Sequence, residues 1–327
     1  MNSVYFTDSN TGYAVGSKGT ILKTSNGGIN WTELSSGTSD NLASVYFTDV
    51  NTGYVVGNVI LKTIDAGVTW TRLAAPSGGS SVFFTDEKTG YVVGGGGTII
   101  KTIDGGLTWT TLVSGTWDIL FSVYFTDVNT GYAVGYIGAV PDGRCTILKT
   151  TNGGTSWNDL SINEYIWLRS VYFTDINTGY TVGGSAEEQG TILKTVNGGA
   201  TWSILSIETT RWFDCVFFTD VNTGYAVGLG GTIFKTTNGG GWNSIKKMHY
   251  PASTFSIYPN PATNKISIAS NSNLQGETNI CIFDINGAIL QQDKFQSQNL
   301  IEMDVSALAK GIYLLKIQTE KGIATKK

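Results

Sequence analysis

The chain has 327 residues, of which 41% are hydrophobic and 14% charged, a balance that supplies a large core and excludes a disordered chain. Its net charge of −4 comes without a basic block, which argues against nucleic acid and anionic membrane surfaces as partners. One histidine, His249, and three widely spaced cysteines, Cys145, Cys215 and Cys281, offer no pattern for a metal site or for histidine acid–base chemistry.

We therefore predict no cofactor and no metal, and we interpret the three cysteines as buried free thiols. No apolar run approaches the roughly 20 residues of a membrane-spanning helix. Glycine is abundant, with 42 residues against 5 prolines, which favours many tight turns between short strands.

One unit of sequence occurs six times. It opens with Val-Tyr-Phe-Thr-Asp or Val-Phe-Phe-Thr-Asp, continues through Asn/Lys-Thr-Gly-Tyr and Ile/Leu-Lys-Thr, and closes on a tryptophan. The units start at Val4, Val45, Val82, Val123, Val171 and Val216. Their closing tryptophans are Trp31, Trp70, Trp109, Trp157, Trp202 and Trp242. Such a repeat at a period near 40 residues indicates a solenoid or a propeller.

Each unit is predicted to form four short strands. In the first unit these are Ser3–Thr7, Gly12–Gly16, Thr20–Thr24 and Asn30–Leu34, all rich in β-branched or aromatic residues. Four strands in about 40 residues is the size of a propeller blade. A single sheet cannot bury both of its faces, so radial stacking of blades explains the repetition. We predict an all-β protein with a six-bladed β-propeller over residues 1–247.

The turn before each closing tryptophan carries a further signature. In the first unit it reads Thr24-Ser25-Asn26-Gly27-Gly28-Ile29-Asn30-Trp31, where the Asn side chain can accept backbone N–H groups and Gly supplies a positive φ. This resembles the Asp-box of sialidase-like propellers. The whole unit resembles the photosystem II stability/assembly factor-like propellers, which are typically seven-bladed. Six units are visible here, so a closed six-bladed ring and an arc one blade short both remain open.

The resemblance supports the fold and not a photosynthetic role. Photosynthetic members of that family are associated with an Arg-rich surface used in assembly. The arginines here are scattered over the repeats, at Arg72, Arg144, Arg169 and Arg211.

The tail is a different domain, predicted over residues 255–327 after a linker at 248–254. Strands are predicted over Ile280–Ile285 and Gly311–Ile317, and Asn286-Gly287 is a hairpin signal, which together favour a small Ig-like β-sandwich. The segments Phe255–Ala262, Ile280–Gly287 and Met303–Ile317 resemble the C-terminal sorting domain of the type IX secretion system of Bacteroidetes. That resemblance implies handling by the type IX machinery and a secreted or cell-surface location.

Export also implies a signal peptide, and none precedes the first strand. Family members usually continue into a short apolar strand, whereas this sequence stops at Lys326-Lys327. We therefore expect the gene product to be longer at both ends.

Two kinds of site can be weighed against a structural role. Asp8-Ser9-Asn10-Thr11-Gly12 and its copies faintly resemble a calcium loop, but a ligand position and the downstream bidentate Glu are missing. A turn in which Asp and Asn bond the backbone is the simpler interpretation. A sialidase would need three converging arginines, and a glycoside hydrolase of another propeller type needs two carboxylates. Carboxylates that break the repeat are Asp118, Asp142, Glu164, Glu187, Glu188 and Asp214.

Variation is concentrated at one edge of the predicted propeller. The fourth and fifth units insert Tyr136–Cys145 and Gly184–Gln189 between strands two and three, and the loops from strand four into the next unit are long and individual. Both kinds of loop emerge on the same edge of an up-and-down blade, a pattern expected where one face carries specificity. Drift in unconstrained loops would give the same pattern.

Three tryptophans outside the repeat fall in these loops, and we predict that they cluster on one sector. The candidate ligand-binding residues are Trp117, Trp167, Arg169, Arg211, Trp212 and Asp214. Aromatic faces with nearby polar groups suit sugar rings or an apolar partner, although rings that only fill gaps between blades would fit as well. We predict a secreted or cell-surface, non-catalytic binding propeller for a glycan, another polymer or a protein. The alternative is a secreted glycoside hydrolase with its carboxylates on the variable face.

Overall fold

The computed structural model describes residues 1–76, 78–136, 144–185, 189–205, 207, 209, 211–241, 243–244, 255–270, 276–284, 288–296, 298–309, 311–319 and 322–326. The chain divides into two compact units, Met1–Ser244 and Ile245–Lys327. Both are built of β-strands, and within the described ranges no helix is long and apolar enough to cross a membrane. Five residues discussed above, Asp142, Glu187, Glu188, Trp242 and His249, lie outside the described residues.

The first unit consists of six four-stranded antiparallel sheets in which strand order follows chain order. Blade 1 contains β1 (Ser3–Phe6), β2 (Gly12–Val15), β3 (Ile21–Thr24) and β4 (Thr32–Leu34). Blade 2 contains β5 (Leu42–Phe47), β6 (Gly53–Gly57), β7 (Ile60–Thr63) and β8 (Thr71–Arg72). Blade 3 contains β9 (Gly79–Phe84), β10 (Gly90–Gly94), β11 (Ile99–Thr102) and β12 (Thr110–Leu112).

The remaining three blades repeat this order. Blade 4 contains β13 (Ile119–Phe125), β14 (Gly131–Tyr136), β15 (Cys145–Thr150) and β16 (Asn158–Asp159). Blade 5 contains β17 (Ile166–Phe173), β18 (Gly179–Ser185), β19 (Gly190–Thr195) and β20 (Ser203–Leu205). Blade 6 contains β21 (Phe213–Phe218), β22 (Gly224–Gly228), β23 (Thr232–Thr236) and β24 (Asn243–Ser244). Short 3-10 turns lie at Ser17–Gly19, Gly95–Gly97 and Leu229–Gly231.

The predicted strands are confirmed to within two residues in blade 1. The largest difference is in β4, which begins at Thr32 and not at Asn30. The side chain of Asn26 accepts the backbone N–H of Asn30 at 2.9 Å, so Asn30 still belongs to the Asp-box turn. The hydroxyl of Thr24 completes that turn by accepting the N–H of Gly28 at 2.9 Å.

The core lies between the blades. The side chains of Tyr13, Val15 and Ile21 on blade 1 pack against Val45, Phe47, Val55 and Leu61 on blade 2, all of them buried. We call the surface of a blade that packs against the next blade in the chain its leading face. The surface that packs against the preceding blade is its trailing face. Equivalent clusters join blades 2 and 3, 3 and 4, 4 and 5, and 5 and 6. Each blade therefore buries one face against each neighbour, as the repeated sequence predicts.

A polar contact accompanies each of these interfaces. The hydroxyl of Tyr54 and the ammonium of Lys62 on blade 2 both donate to the carbonyl of Gly105 in the Asp-box turn of blade 3, at 2.8 and 2.7 Å. Four other Tyr–Lys pairs bond the next turn in the same way: Tyr13 with Lys23, Tyr91 with Lys101, Tyr132 with Lys149, and Tyr180 with Lys194. Tyr and Lys of each repeat are thus fixed by contact with the following blade.

The two terminal blades are not packed against each other. Val4 and Phe6 on the trailing face of blade 1 are 58% and 42% exposed, whereas Val45 and Phe47 of blade 2 are 4% and 3% exposed. Val227 and Ile233 on the leading face of blade 6 are 39% and 45% exposed. The six described blades therefore form an open arc with two exposed end faces and not a closed six-bladed ring.

One prediction about the cysteines is wrong for the same reason. Cys145 and Cys281 are buried, but Cys215 is exposed. Cys215 of blade 6 aligns with Ser170 of blade 5. The hydroxyl of Ser170 accepts the N–H of Val216 in the next blade, at 3.2 Å. Because no described blade follows blade 6, this position is left uncovered.

The second unit is a β-sandwich of two sheets, with strand orders β25-β26-β29 and β28-β27-β30-β31. The strands are β25 (Phe255–Tyr258), β26 (Lys265–Ser270), β27 (Glu277–Phe283), β28 (Ile289–Gln296), β29 (Leu300–Asp304), β30 (Leu314–Thr319) and β31 (Gly322–Lys326). Ile266, Ile268, Ile280 and Ile317 belong to its core. β30 begins three residues later than predicted, at Leu314, and the hydroxyl of the preceding Tyr313 donates to the carbonyl of Ala309. The predicted Asn286-Gly287 turn lies outside the described residues, between the paired strands β27 and β28.

Candidate binding surface on the variable edge

The candidate site lies where the first strand of a blade begins and the second strand ends, which we call the variable edge. In blades 2 to 6 the first strand carries a β-bulge close to this edge, for example between Leu168 and Ser170 of β17. A bulge adds an unpaired residue and redirects its side chain. The bulge residues are Ala43, Ser80, Phe121, Arg169 and Asp214.

Trp167 and Trp212 meet at this edge. Trp167 lies on β17 opposite Gly184 of β18, and Trp212 of the next blade packs onto the same glycine. A methyl group on Gly184 would lie 2.2 Å from Cδ1 of Trp212. The two indole rings are edge to face, with centroids 4.7 Å apart and an angle of 69°. Such tilted pairs are a favoured arrangement of aromatic rings.

The ring contacts continue onto blade 4. Tyr136, at the end of β14, lies 5.6 Å from Trp167 between ring centroids. Phe121 stacks on Tyr136 at 5.3 Å and 10°. The guanidinium carbon of Arg169 lies 4.6 Å from the centre of the Phe121 ring, a cation–π geometry. We call Phe121, Tyr136, Trp167, Trp212 and Arg169 the aromatic patch.

Two polar atoms in the patch are buried without an acceptor among the described residues, Nε of Arg169 and Nε1 of Trp212. All five side chains are half-buried, so each keeps part of its surface accessible to solvent. The patch therefore combines packing between blades with an accessible aromatic surface.

Sequence reasoning missed Phe121 and Tyr136. Both depart from the repeat, since Phe121 aligns with the bulge residues Ala43 and Ser80, and Tyr136 aligns with Gly184. A residue-by-residue alignment of the six units could have found this signal. The contact of Tyr136 with Trp167 joins two blades, and that alignment alone does not show it.

The other three candidates, Trp117, Arg211 and Asp214, are not members of the patch. Trp117 is 90% exposed and makes no ring contact among the described residues. It precedes Ile119, which aligns with Trp167, by two residues, so its ring does not occupy the equivalent position. Arg211 is exposed beside Gly230, and Asp214 is exposed at the bulge of β21.

The arginines divide into two pairs. Arg72 and Arg144 form salt bridges with Asp40 and Asp159, at 3.8 and 2.9 Å. Arg169 and Arg211 have no salt bridge within the described parts of the chain. Arg169, two residues after Trp167, and Arg211, one residue before Trp212, are thus the two arginines without a carboxylate partner among the described residues.

The carboxylates proposed for hydrolysis differ in their surroundings. Asp118 is buried, and one of its carboxylate oxygens accepts the hydroxyl of Thr146 at 2.6 Å. Glu164 and Asp214 are exposed. Asp118 therefore holds the first loop of blade 4 to β15 and is not free to face a substrate.

In the repeated Asp turns the Asp side chain accepts hydrogen bonds from the backbone of the same turn, as the structural interpretation predicts. One carboxylate oxygen of Asp8 accepts the N–H groups of Asn10 and Thr11, at 2.7 and 2.8 Å. These bonds hold the pKa of Asp8 below its ordinary value, because they stabilise the ionised form. The same pair of bonds occurs at Asp49, Asp86, Asp127, Asp175 and Asp220.

Comparison of structures agrees with this fold. A structure described as YCF48 bound to D1 peptide is 20% identical, with a TM-score of 0.61, and the match covers 82% of this chain and 87% of that one. PorZ, a surface component of the type IX secretion system of Porphyromonas gingivalis, is 12% identical with a TM-score of 0.52, covering 98% of this chain and 58% of that one. An ancestral GH74 enzyme is 16% identical with a TM-score of 0.52, covering 78% of this chain and 38% of that one.

Comparison of sequences identifies the family. No curated protein matches the chain. The model of the secretion system C-terminal sorting domain matches residues 256–327, which implies export to the cell surface or the medium. The model of the photosynthesis system II assembly factor YCF48 matches residues 1–77 and 79–204, more than half of the chain. The protein therefore belongs to the YCF48 assembly-factor family of β-propellers and carries a type IX sorting domain at its C-terminus.

Proposed function

We propose that this exported propeller is a non-catalytic binding module and that its ligand is taken at the aromatic patch. The observation that carries the proposal is the unbroken contact from Phe121 through Tyr136 and Trp167 to Trp212. The equivalent of Trp167 is Asn41 in blade 2 and Gly78 in blade 3. The patch is thus confined to one sector of an otherwise repetitive molecule, as expected of a site that carries specificity.

The chemistry of the patch suits a polymer segment. Open aromatic faces bind the C–H faces of sugar rings or apolar side chains, and a guanidinium can bind carboxylates through paired hydrogen bonds. Arg169 lies within the patch, and Arg211 immediately precedes Trp212. A relative of the same family is described as bound to a peptide, which supports a segment of polymer as the ligand. Trp117 and Asp214 lie on the same edge and would extend the contact surface.

The glycoside hydrolase alternative has less support. A hydrolase of this kind needs two free carboxylates flanking the scissile bond, and Asp118 is engaged by Thr146. The likeness to the GH74 enzyme is one of fold. Release of reducing sugar from any polysaccharide by the full chain, lost in Glu164→Gln or Asp214→Asn, would favour the hydrolase over the binding module.

Binding of the full chain to a glycan array and to a peptide library tests the proposal. For any ligand found, we expect Trp167→Ala and Trp212→Ala to weaken binding at least tenfold. Trp31→Ala is the control, because Trp31 is an exposed Asp-box tryptophan of blade 1 whose indole N–H donates to the carbonyl of Gly28. Equal loss of affinity in Trp31→Ala, or unchanged affinity in both patch variants, would place the site elsewhere.

Gly184→Ala provides a second variant that keeps every aromatic ring. The added methyl group would displace Trp212, and the ring can move outward because it is half-exposed. We expect reduced affinity with little change in melting temperature. Unchanged affinity would show that the Trp167–Trp212 arrangement does not form the binding surface.

A further inference from the structure

The Asp-box turns lie on the edge of the blades opposite the variable edge, where the third strand ends and the fourth begins. We call it the Asp-box edge. Five aliphatic side chains on the turns of blades 1, 2 and 3 are 69–80% exposed there: Ile29, Ile64, Val68, Ile103 and Leu107. We call these five side chains the aliphatic surface. A single exposed aliphatic side chain is ordinary, but five on three successive turns form a patch of the kind that marks an interaction site.

The Asp-box turn does not require these aliphatic residues. At the same two exposed positions blade 4 has Thr151 and Thr155, and blade 6 has Thr237 and Gly241. Among the six copies, blades 2 and 3 alone have a large aliphatic residue at both positions. The bond from a backbone N–H to the first threonine hydroxyl, which closes the turn, is 2.9 Å long in both blade 2 and blade 4. The turn therefore closes in the same way with and without the aliphatic side chains.

Two carboxylates accompany the aliphatic residues. Blades 2 and 3 are also the copies that have Asp instead of Asn in this turn, and Asp65 and Asp104 each directly follow an exposed isoleucine. Hydrogen bonds, first from the side chains of Thr69 and Thr108, lower the pKa of each carboxyl to about 2, so both are ionised at neutral pH. Neither carboxylate forms a salt bridge within the described residues.

The surroundings of the aliphatic surface are acidic as well. In blades 2 and 3 a backbone N–H of the Asp-box turn donates to a carbonyl of the Asp turn in the same blade, at 2.9 Å, so the two turns are neighbours. These Asp turns contribute the carboxylates of Asp49, Asp86 and Glu87 and the ammonium of Lys88. Two further lysines, Lys62 and Lys101, donate to carbonyls of the following turns. Carboxylates thus outnumber ammonium groups around the aliphatic surface.

We propose that the aliphatic surface is a second interaction site, separate from the aromatic patch, and that it docks a segment of another protein in which lysine or arginine alternates with large apolar residues. The apolar side chains of such a segment would remove the five exposed aliphatic side chains from water. Its basic groups would meet the carboxylates of Asp65 and Asp104. Charge complementarity of this kind fixes the register of a contact and excludes other partners.

Two other occupants fit the charges less well. A second copy of the chain would bring its own Asp65 and Asp104 to the same surface, and juxtaposed like charges disfavour an interface. Segments that lie on membranes carry lysine and arginine beside their apolar residues, whereas Asp65 and Asp104 occur here. A basic and apolar protein segment is therefore the occupant that the surface favours.

Binding of two synthetic peptides to the full chain tests the proposal. The peptides have the same length and leucine content, and their polar positions are all lysine in one and all glutamate in the other. Fluorescence polarisation of the labelled peptides measures their affinity. We expect the leucine–lysine peptide to bind at least tenfold more tightly than the leucine–glutamate peptide. Equal affinity for the two peptides, or no binding of the leucine–lysine peptide, would overturn the proposal.

Blade 4 shows which substitutions the turn accepts. The variant with Ile64→Thr, Val68→Thr, Ile103→Thr and Leu107→Thr gives blades 2 and 3 the threonines of blade 4. We expect this fourfold variant to bind the leucine–lysine peptide at least tenfold more weakly than the parent, with a melting temperature close to that of the parent. Unchanged affinity in a folded fourfold variant would show that the peptide binds elsewhere.

The carboxylates and the rest of the edge have variants of their own. Asp65→Asn with Asp104→Asn should reduce the preference for the lysine peptide over the glutamate peptide. Val128→Thr with Ile176→Thr is the matched control, because both are exposed aliphatic residues of Asp turns on the same edge, in blades 4 and 5. It should leave the affinity unchanged, and an equal loss in this control would contradict the assignment.

The other two occupants are distinguished by separate measurements. Sedimentation of the full chain with phosphatidylcholine vesicles, lost in the fourfold variant, would assign the surface to a lipid and overturn the proposal. A dimer in size-exclusion chromatography, lost in the same variant, would assign it to a second copy and overturn the proposal as well. We expect a monomer that does not sediment with the vesicles.

Discussion

Removal of single hydroxyl groups from the Tyr–Lys pairs tests how the blades are held together. In Tyr91→Phe the ring stays in place and one bond is lost, the one that the hydroxyl donates to Gly153 at 2.9 Å. Tyr91 is fully buried, and burial raises its pKa to about 12, so the hydroxyl remains a donor throughout the neutral range. Such a bond contributes about 0.5–1.5 kcal/mol. The Gly153 carbonyl keeps its second donor, Lys101, at 2.8 Å, so no orphaned acceptor adds to the cost.

The loss of unfolding free energy in the double variant should exceed the sum of the losses in the two single variants. In Tyr91→Phe with Lys101→Met the carbonyl of Gly153 loses both of its donors, and an unsatisfied buried acceptor adds about 1–3 kcal/mol. We expect a coupling energy of about 1 kcal/mol or more between the two sites, within the range measured for residues that share a partner. Tyr225→Phe is the matched control on blade 6, where no described carbonyl accepts, and it should cost less than about 0.5 kcal/mol.

Thermal unfolding followed by circular dichroism measures these differences. For a unit of this size, 1 kcal/mol corresponds to about 2–4 °C in melting temperature. The reasoning would be refuted if Tyr91→Phe and Tyr225→Phe lowered the melting temperature equally. Strict additivity of Tyr91→Phe and Lys101→Met would also contradict it, because the shared acceptor requires coupling.

Three further predictions concern the patch, the acid stability and the tail. Trp117→Ala should change the unfolding free energy by less than about 0.5 kcal/mol. Truncation of half-buried Trp212 to Ala should lower it by about 2 kcal/mol, less than the 3–5 kcal/mol of a core tryptophan. Equal losses in denaturant titrations would contradict the exposures of the two side chains. Hydrogen bonds, first from the side chain of Thr69 to Asp65 and of Thr108 to Asp104, lower the pKa of each carboxyl to about 2. Since the folded pKa is depressed, this contribution is present above about pH 4 and disappears as pH falls toward 2. The variant with Asp65→Asn and Asp104→Asn should therefore lose less stability than the parent between pH 4 and 2, and parallel acid curves would exclude this role. In a host with a type IX system, deletion of residues 255–327 should keep the propeller inside the cell. A reporter fused to residues 255–327 is the positive control. Undiminished secretion of the deletion variant would contradict a role of the tail in export.

The repeat alone determined the architecture of the first unit. Val-Tyr-Phe, Gly-Tyr-Ala-Val, Ile-Leu-Lys-Thr and the Asp-box turn each have a local cause, in β-propensity, in turn chemistry or in a positive φ. Because the unit occurs six times, these local patterns also predicted six blades. Asp8 and Asn26 could be assigned to turns from sequence because their hydrogen-bond partners lie within four residues. The sandwich of the tail followed from similar short-range signals.

Only the tertiary structure decided what depends on neighbouring blades. The repeat predicted that Trp167 and Trp212 lie close together, and their rings are in contact. The contact of Trp167 with Tyr136 joins two blades, and no local pattern predicted it. Trp117 lies two residues before Ile119, the residue that aligns with Trp167, and its side chain is exposed. Cys215 was wrongly predicted to be buried because burial in this fold depends on the next blade and not on the strand itself. Val4 and Val45 have the same sequence context and opposite exposure for that reason: a blade's own residues determine its strands, and its neighbours determine its core.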